Sequence, residues 1–229
     1  MSARHAEDNL QTLNLRLPRN RAAYSPRARR YHPDVAESST PGTALLPFTG
    51  NPEADRLLET DPLALLIGFA LDQQVTVQKA FSGPWELRSR LGHLDARKIA
   101  ETDPAELDRV FRERPALHRF PGSMAGKVQA LGAVIAERYD GDASRIWREA
   151  KDGRDLQARL LALPGIGEMK ARTLTAILGK RLGVRLPGLD DVMPVHPTLG
   201  DVDSPNALAK YQAGKRAHKA ELRAAGKRA

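Results

Sequence analysis

Five residues, Leu163, Pro164, Gly165, Ile166 and Gly167, with Lys170 just beyond them, carry the clearest chemistry in the chain. Upstream, Leu156, Leu160 and Leu163 fall at helical spacing; downstream, Leu174, Ile177, Leu178 and Leu182 do the same. A proline and two glycines between two amphipathic helices continue neither. Gly165 and Gly167 can take positive φ without steric cost, so the chain can reverse within a few residues. With no side chains there, backbone N–H groups of the turn and of the second helix's N-terminus can approach an anion closely, and a DNA phosphate fits that description. An ordinary helix–helix turn with a glycine C-cap accounts for the same residues without a ligand.

Asp72, Gln73 and Gln74 form a second constellation. They interrupt the apolar run Leu65-Leu-Ile-Gly-Phe-Ala-Leu71, and three polar residues inside such a helix are costly to bury unless something pairs with them. Either their amides face a cleft that needs hydrogen bonds, or they cap the helix as it meets solvent.

These groups must be positioned by helices, because periodic helical signals dominate and no alternating strand or Asn-Gly hairpin signal is found. Asp61-Pro62 reads as an N-cap with proline in the first turn, opening a helix from Leu63 to about Ala80 that Ser82-Gly-Pro84 stops. Asp103-Pro-Ala-Glu106 reads as a capping box for a helix through Phe111. Ser123 opens a helix with Met124, Val128, Leu131 and Ile135 on one stripe, closed by Tyr139-Asp-Gly141. Helices near 144–151 and 154–163 lead into the turn, and the next spans about Glu168 to Leu182. Residues 183–203, rich in Gly, Pro and Asp, read as mostly loop, and Ser204-Pro205 caps a final helix. The expectation is an all-α fold with short connections.

Composition narrows the partners. Across 229 residues the formal net charge is +8, unevenly placed. Residues 1–48 hold seven Arg against four acids, and residues 204–229 hold seven Lys and Arg against Glu221 alone, so the middle is nearly neutral. Basic ends suit phosphate attraction through counterion release, or serve only to solubilise. Three parts are expected: a basic, disordered extension over 1–44 (or a start site assigned too far upstream), a helical domain over 45–203, and a basic helix and tail over 204–229. No apolar run is long enough to span a membrane and no signal-peptide core is found, which points to a soluble, intracellular protein; a cytoplasmic location, on the bacterial nucleoid when bound to DNA, and a monomer are the expectations. The absence of cysteine excludes disulfides, a thiolate nucleophile and Cys-held zinc or iron–sulfur clusters.

Other chemistries lack their residues. The 165–170 turn has neither the third glycine of a dinucleotide loop nor the Gly-Lys-Ser/Thr of a phosphate loop. His5, His32, His93, His118, His196 and His218 show no paired metal-ligand spacing, and no G-x-S-x-G occurs, so no metal and no cofactor are expected.

Leu163-Pro-Gly-Ile-Gly167 followed by a helix resembles the helix-hairpin-helix of base-excision DNA glycosylases. The Asp72-Gln-Gln74 stretch resembles the Gln-Gln segment of alkyladenine-type members, and the order Gln-Gln helix, Lys127 helix, hairpin agrees over roughly residues 46–182. The resemblance is to cluster-free members of the HhH-GPD superfamily. It implies an enzyme that flips a damaged base out of double-stranded DNA and hydrolyses its N-glycosidic bond, with alkylated purines favoured through the Gln-Gln resemblance and uracil and oxidised purines left open. Gln73, Gln74 and Met169 would then border the base pocket, although Met169 reads equally as core. The family's catalytic Asp lies after the second hairpin helix. Gap-free counting puts that position at Pro187, so Asp190 or Asp191 would serve only through a short insertion; both also read as a solvated turn pair. The lyase amine of strand-nicking relatives falls on Met169, and Lys170 stands about 100° further round the helix, which implies a monofunctional enzyme and leaves Lys170 for a phosphate. The alternative is a non-catalytic DNA-binding module.

Overall fold

Asn51, Asp61, Asp95, Asp103 and Asp152 each stand just before a helix, and each side chain accepts a hydrogen bond from a free N–H of the turn that follows. These caps divide the chain into helices. The computed structural model describes residues 45–224 and Gly226; the expectation of disorder over 1–44 lies outside them. Among the described residues there is no strand. The α-helices are α1 (Pro52–Thr60), α2 (Pro62–Leu71), α3 (Val77–Leu91), α4 (Ala96–Glu101), α5 (Pro104–Arg112), α6 (Pro121–Arg138), α7 (Arg145–Arg148), α8 (Gly153–Leu161), α9 (Glu168–Lys180), α10 (Leu189–Val192) and α11 (Pro205–Ala224), with a 3-10 turn at Leu199–Asp201. No helix among them is long and apolar enough to cross a membrane.

The core is built round α2, in which every residue from Leu63 to Leu71 is buried. Phe81 of α3 packs on it, 5.0 Å from the Phe69 ring and 5.1 Å from Phe48, both edge-on. Gly68 permits this approach, since a Cβ there would stand 2.6 Å from the Phe81 ring. The long helix α6 carries the expected stripe Met124, Val128, Leu131 and Ile135 into the same core. Its Gly132 lets α4 cross closely, with the Ala96 carbonyl 2.9 Å from the position a Cβ would take.

Several expectations are corrected. The helix expected over 63–80 ends at Leu71 and restarts at Val77, so Asp72, Gln73 and Gln74 lie in a loop, with Gln74 at φ 57°. Ser82-Gly-Pro84 does not stop a helix but lies inside α3. There Gly83 accommodates Leu71, whose Cδ1 would be 2.5 Å from a Cβ, and the buried Phe81, Pro84 and Leu87 offset the ladder bond that proline removes. Helix α6 starts at Pro121, two residues before Ser123, without a side-chain cap. Helices α1 and α4 were not anticipated, whereas residues 183–203 are mostly loop as expected, with α10 and the 3-10 turn set within them. The final helix is not simply a tail. Leu208 is buried, and Gln212 exchanges two side-chain hydrogen bonds with Gln78 of α3, at 2.9 and 3.3 Å.

Candidate nucleic-acid interface

The turn between α8 and α9 closes through Leu163 N–H to the Leu160 carbonyl and Ile166 N–H to the Leu163 carbonyl, each 3.1 Å. The buried Leu163 and Ile166 anchor it to the core, Gly165 is half-buried, and Gly167 is left exposed. Only Gly165 uses the left-handed region, at φ 82°. Gly167 is extended, at φ −91° and ψ 179°, and caps α9 with no side-chain bond, so positive φ is not why a glycine stands there. A Cβ at Gly167 would meet nothing within 4 Å. This side of the hairpin is bare.

Gly165 is the meeting point of three elements. On one side a Cβ would lie 2.7 Å from Cδ of Lys127 in α6, and on another 3.5 Å from Cα of Ala70 in α2. The Lys170 ammonium donates to the Gly165 carbonyl at 3.0 Å, so the lysine steadies the hairpin from within α9. Lys127 also donates to Oε1 of Gln73 at 2.9 Å and thereby touches both sequence-predicted constellations.

The 72–74 loop is held from a second direction by His118. Its Nδ1 accepts from Phe120 N–H at 3.0 Å, so Nε2 carries the hydrogen and donates to the Gln73 carbonyl, also at 3.0 Å. Burial holds the imidazole below its usual pKa, against the backbone bonds to Gln73 and Leu71 that favour its charge. Gln73 and Gln74 are both exposed rather than buried in a helix interior. Beside them Phe120 is 41% exposed, with the Arg119 guanidinium 4.7 Å from its ring centre.

Asp72 is half-buried beside these groups. Burial pushes its carboxyl above the usual carboxylate range, and the charges of Lys215 on α11 and Lys170 on α9 pull it partly back. Burial lowers the Lys170 ammonium, with Asp72 opposing that shift and Lys127 adding to it. Tyr211 of α11 packs against the core, and burial, together with Asp72 and Asp201, pushes its phenol up to about 12. The Lys215 ammonium lies 5.5 Å from the Tyr211 ring centre. Met169 is 66% exposed, which removes the core reading for that residue.

The hairpin residues Leu163 to Gly167, Lys170, Met169, Gln73 and Gln74 are thus brought into one neighbourhood. Asp190 and Asp191 are not. Both are exposed on the short α10, which packs where α8 begins and α9 ends: Gly153 faces the Gly188 carbonyl and Leu189, and Gly179 faces Leu189 and Met193. Gly179 lies twelve residues along α9 from Gly167, about 18 Å at the helical rise. Residues 181–188 fold the chain back on the far end of the helix pair. Among the described residues no group of three His, Asp or Glu is placed to hold a metal ion.

Sequence reading missed His118, Phe120, Tyr211 and Lys215 as members of this face, and took Asp72 only as one of three polar residues. His118-Arg-Phe120 before a proline was the available signal for two of them. Chemically, the face offers three ammonium groups, two amides, an exposed aromatic ring and one carboxylate. No protein-family model and no curated protein matches the chain.

Proposed function

We propose that this chain binds double-stranded DNA through the hairpin face and acts there as a monofunctional base-excision glycosylase, turning a damaged base out of the stack and hydrolysing its N-glycosidic bond. The observation that carries the reading is Lys127, whose side chain crosses Gly165 and ends on Gln73, so that the phosphate-facing turn and the Gln-Gln loop form one continuous surface. The bare Gly167 and the uncapped start of α9 suit close approach of a phosphate. Exposed amides at Gln73 and Gln74 offer both a donor and an acceptor to a displaced base or to its orphaned partner. The Phe120 ring is of the kind that fills a gap left in a base stack. Met169 stands where strand-nicking relatives would need an amine, and Lys170 is spent on Gly165, which favours hydrolysis without strand cleavage.

The test is incubation of purified protein with duplexes that each carry one lesion, alkylated purines first, followed by alkaline cleavage of abasic sites. Release of at least one base above the rate without protein is expected. A second reading, a non-catalytic DNA-binding module, is favoured by the distance of Asp190 and Asp191 from the hairpin; duplex binding with no base released from the whole panel would establish it instead.

A further inference from the structure

We infer that Asp72, rather than Asp190 or Asp191, is the carboxylate that faces the reacting sugar. The inference rests on the glycosylase reading above. Its geometric basis is elimination among acids near the hairpin, together with the state of the one that is left. Glu168, in the first turn of α9, is exposed and engaged by Arg172 at 2.7 Å. Asp201 is held by Lys180 at 2.6 Å and accepts from Thr198 N–H at 2.8 Å. Asp190 and Asp191 stand on α10, at the opposite end of α9. Among the described residues, Asp72 is the acid that shares the face of Gln73, Gln74, Lys127 and Lys170.

Asp72 is also fixed and uncommitted. Its backbone N–H closes α2 on the Phe69 carbonyl at 3.2 Å, so its Cα is mounted on the most buried helix of the core. Its carboxylate has no hydrogen-bond or ion-pair partner among the described residues, although it is half-buried. The nearby cations are placed elsewhere, Lys170 on the Gly165 carbonyl, Lys127 on Gln73 and Lys215 over the Tyr211 ring at 5.5 Å. An acid withdrawn from water without a partner of its own costs stability, and such an arrangement is characteristic of groups kept for their chemistry.

In the reaction the C1′–N bond breaks and its electron pair leaves with the base, which takes up a proton. Positive charge builds on the sugar, and water adds at C1′. The Asp72 carboxylate stabilises that charge and accepts the proton lost by the water, then returns it to solvent. The products are free base and an abasic sugar, with one water consumed.

The experiment compares Asp72→Asn, Asp72→Glu and the double variant Asp190→Asn/Asp191→Asn with wild type. Single-turnover excision is measured on whichever lesion duplex wild type cleaves, alongside duplex affinity and thermal melting. Asp72→Asn is expected to lose at least ~10²-fold in excision rate, the scale of one preorganised electrostatic group, while binding the duplex at least as tightly and melting higher than wild type. Asp72→Glu should retain part of the rate, and the double variant all of it. Excision by Asp72→Asn within about threefold of wild type, or loss of rate in the double variant alone, overturns the assignment and leaves the glycosylase reading intact. A melting temperature lowered by Asp72→Asn, with rate and binding falling together, marks Asp72 as structural and also overturns it. A wild type that releases no base from any duplex overturns both.

Discussion

The Lys127 side chain lies across Gly165, with its Cδ 2.7 Å from where a Cβ on that glycine would stand. Gly165 and Gly167 therefore answer different questions. Gly165→Ala adds a methyl group at φ 82° and presses on Lys127, so a loss of roughly 1–3 kcal/mol is expected, read as a lower denaturation midpoint. Gly167→Ala puts a methyl group into open space at an ordinary backbone conformation, so only the weaker cap should register, at under about 1 kcal/mol. Duplex affinity lost in Gly167→Ala without a matching loss of stability would place the bare side of the hairpin against DNA; unchanged affinity would remove it from the interface.

Lys170 and Lys127 can be separated by salt. If both ammonium groups meet phosphates, each Lys→Ala change should weaken binding to any sequence and lower the slope of log affinity against log salt by roughly one. Because Lys170 already donates to the Gly165 carbonyl, its loss should also lower the melting temperature, whereas Lys127→Ala should act chiefly on the Gln73 loop. Titrations at four or more salt concentrations, with slopes equal to wild type in both variants, would take both lysines off the DNA.

The buried imidazole of His118 sets a pH dependence. Its folded pKa is lowered by burial, so the unfolded chain takes up a proton first as pH falls. The stability it confers is therefore complete above about 6.5, the unfolded value, and is lost as pH drops from there through the lower folded value. Denaturant midpoints for wild type and His118→Gln, taken from pH 8 down to pH 5, should converge on the acid side. Parallel curves would show that the ring is not the sensing group.

The final helix should divide in two. Truncation after Ala217 removes Lys219, Arg223, Lys227 and Arg228 but keeps Tyr211, Gln212 and Lys215. It should weaken binding to any duplex and leave the melting temperature unchanged. Truncation after Ala209 also removes the Gln78–Gln212 pair and the Tyr211 packing, so melting should fall as well. Equal melting for both truncations would show that α11 adds nothing to the fold beyond Leu208.

What was legible in the sequence was what local chemistry determines. Asp61-Pro62, Asp103-Pro104 and Ser204-Pro205 announce helix starts because cap and proline act within one turn, and the α6 stripe announces its buried face. The hairpin was legible for the same reason. The break between α2 and α3 was not, because the residue that holds Gln73 outside a helix is His118, 45 positions away. Pro84 was misread because its helix is kept by packing on Leu71 and not by its own propensity. The position of Asp190 and Asp191 was illegible for a related reason: α10 docks where Gly153 and Gly179 leave room, and no count along the chain reveals that vacancy.

The enclosure of α2 on every side has a mechanical consequence. Amide hydrogens from Leu65 to Leu71 should be among the last in the molecule to exchange with solvent, since exposing them requires opening the whole core. The loop at 72–74 is therefore mounted on an anvil. The hairpin beside it is itself pinned by the buried Leu163 and Ile166, whereas the last turns of α11 are exposed. A long, stiff ligand pressed against this face would bend the outer helices, or be bent itself, before it could displace the residues at the end of α2.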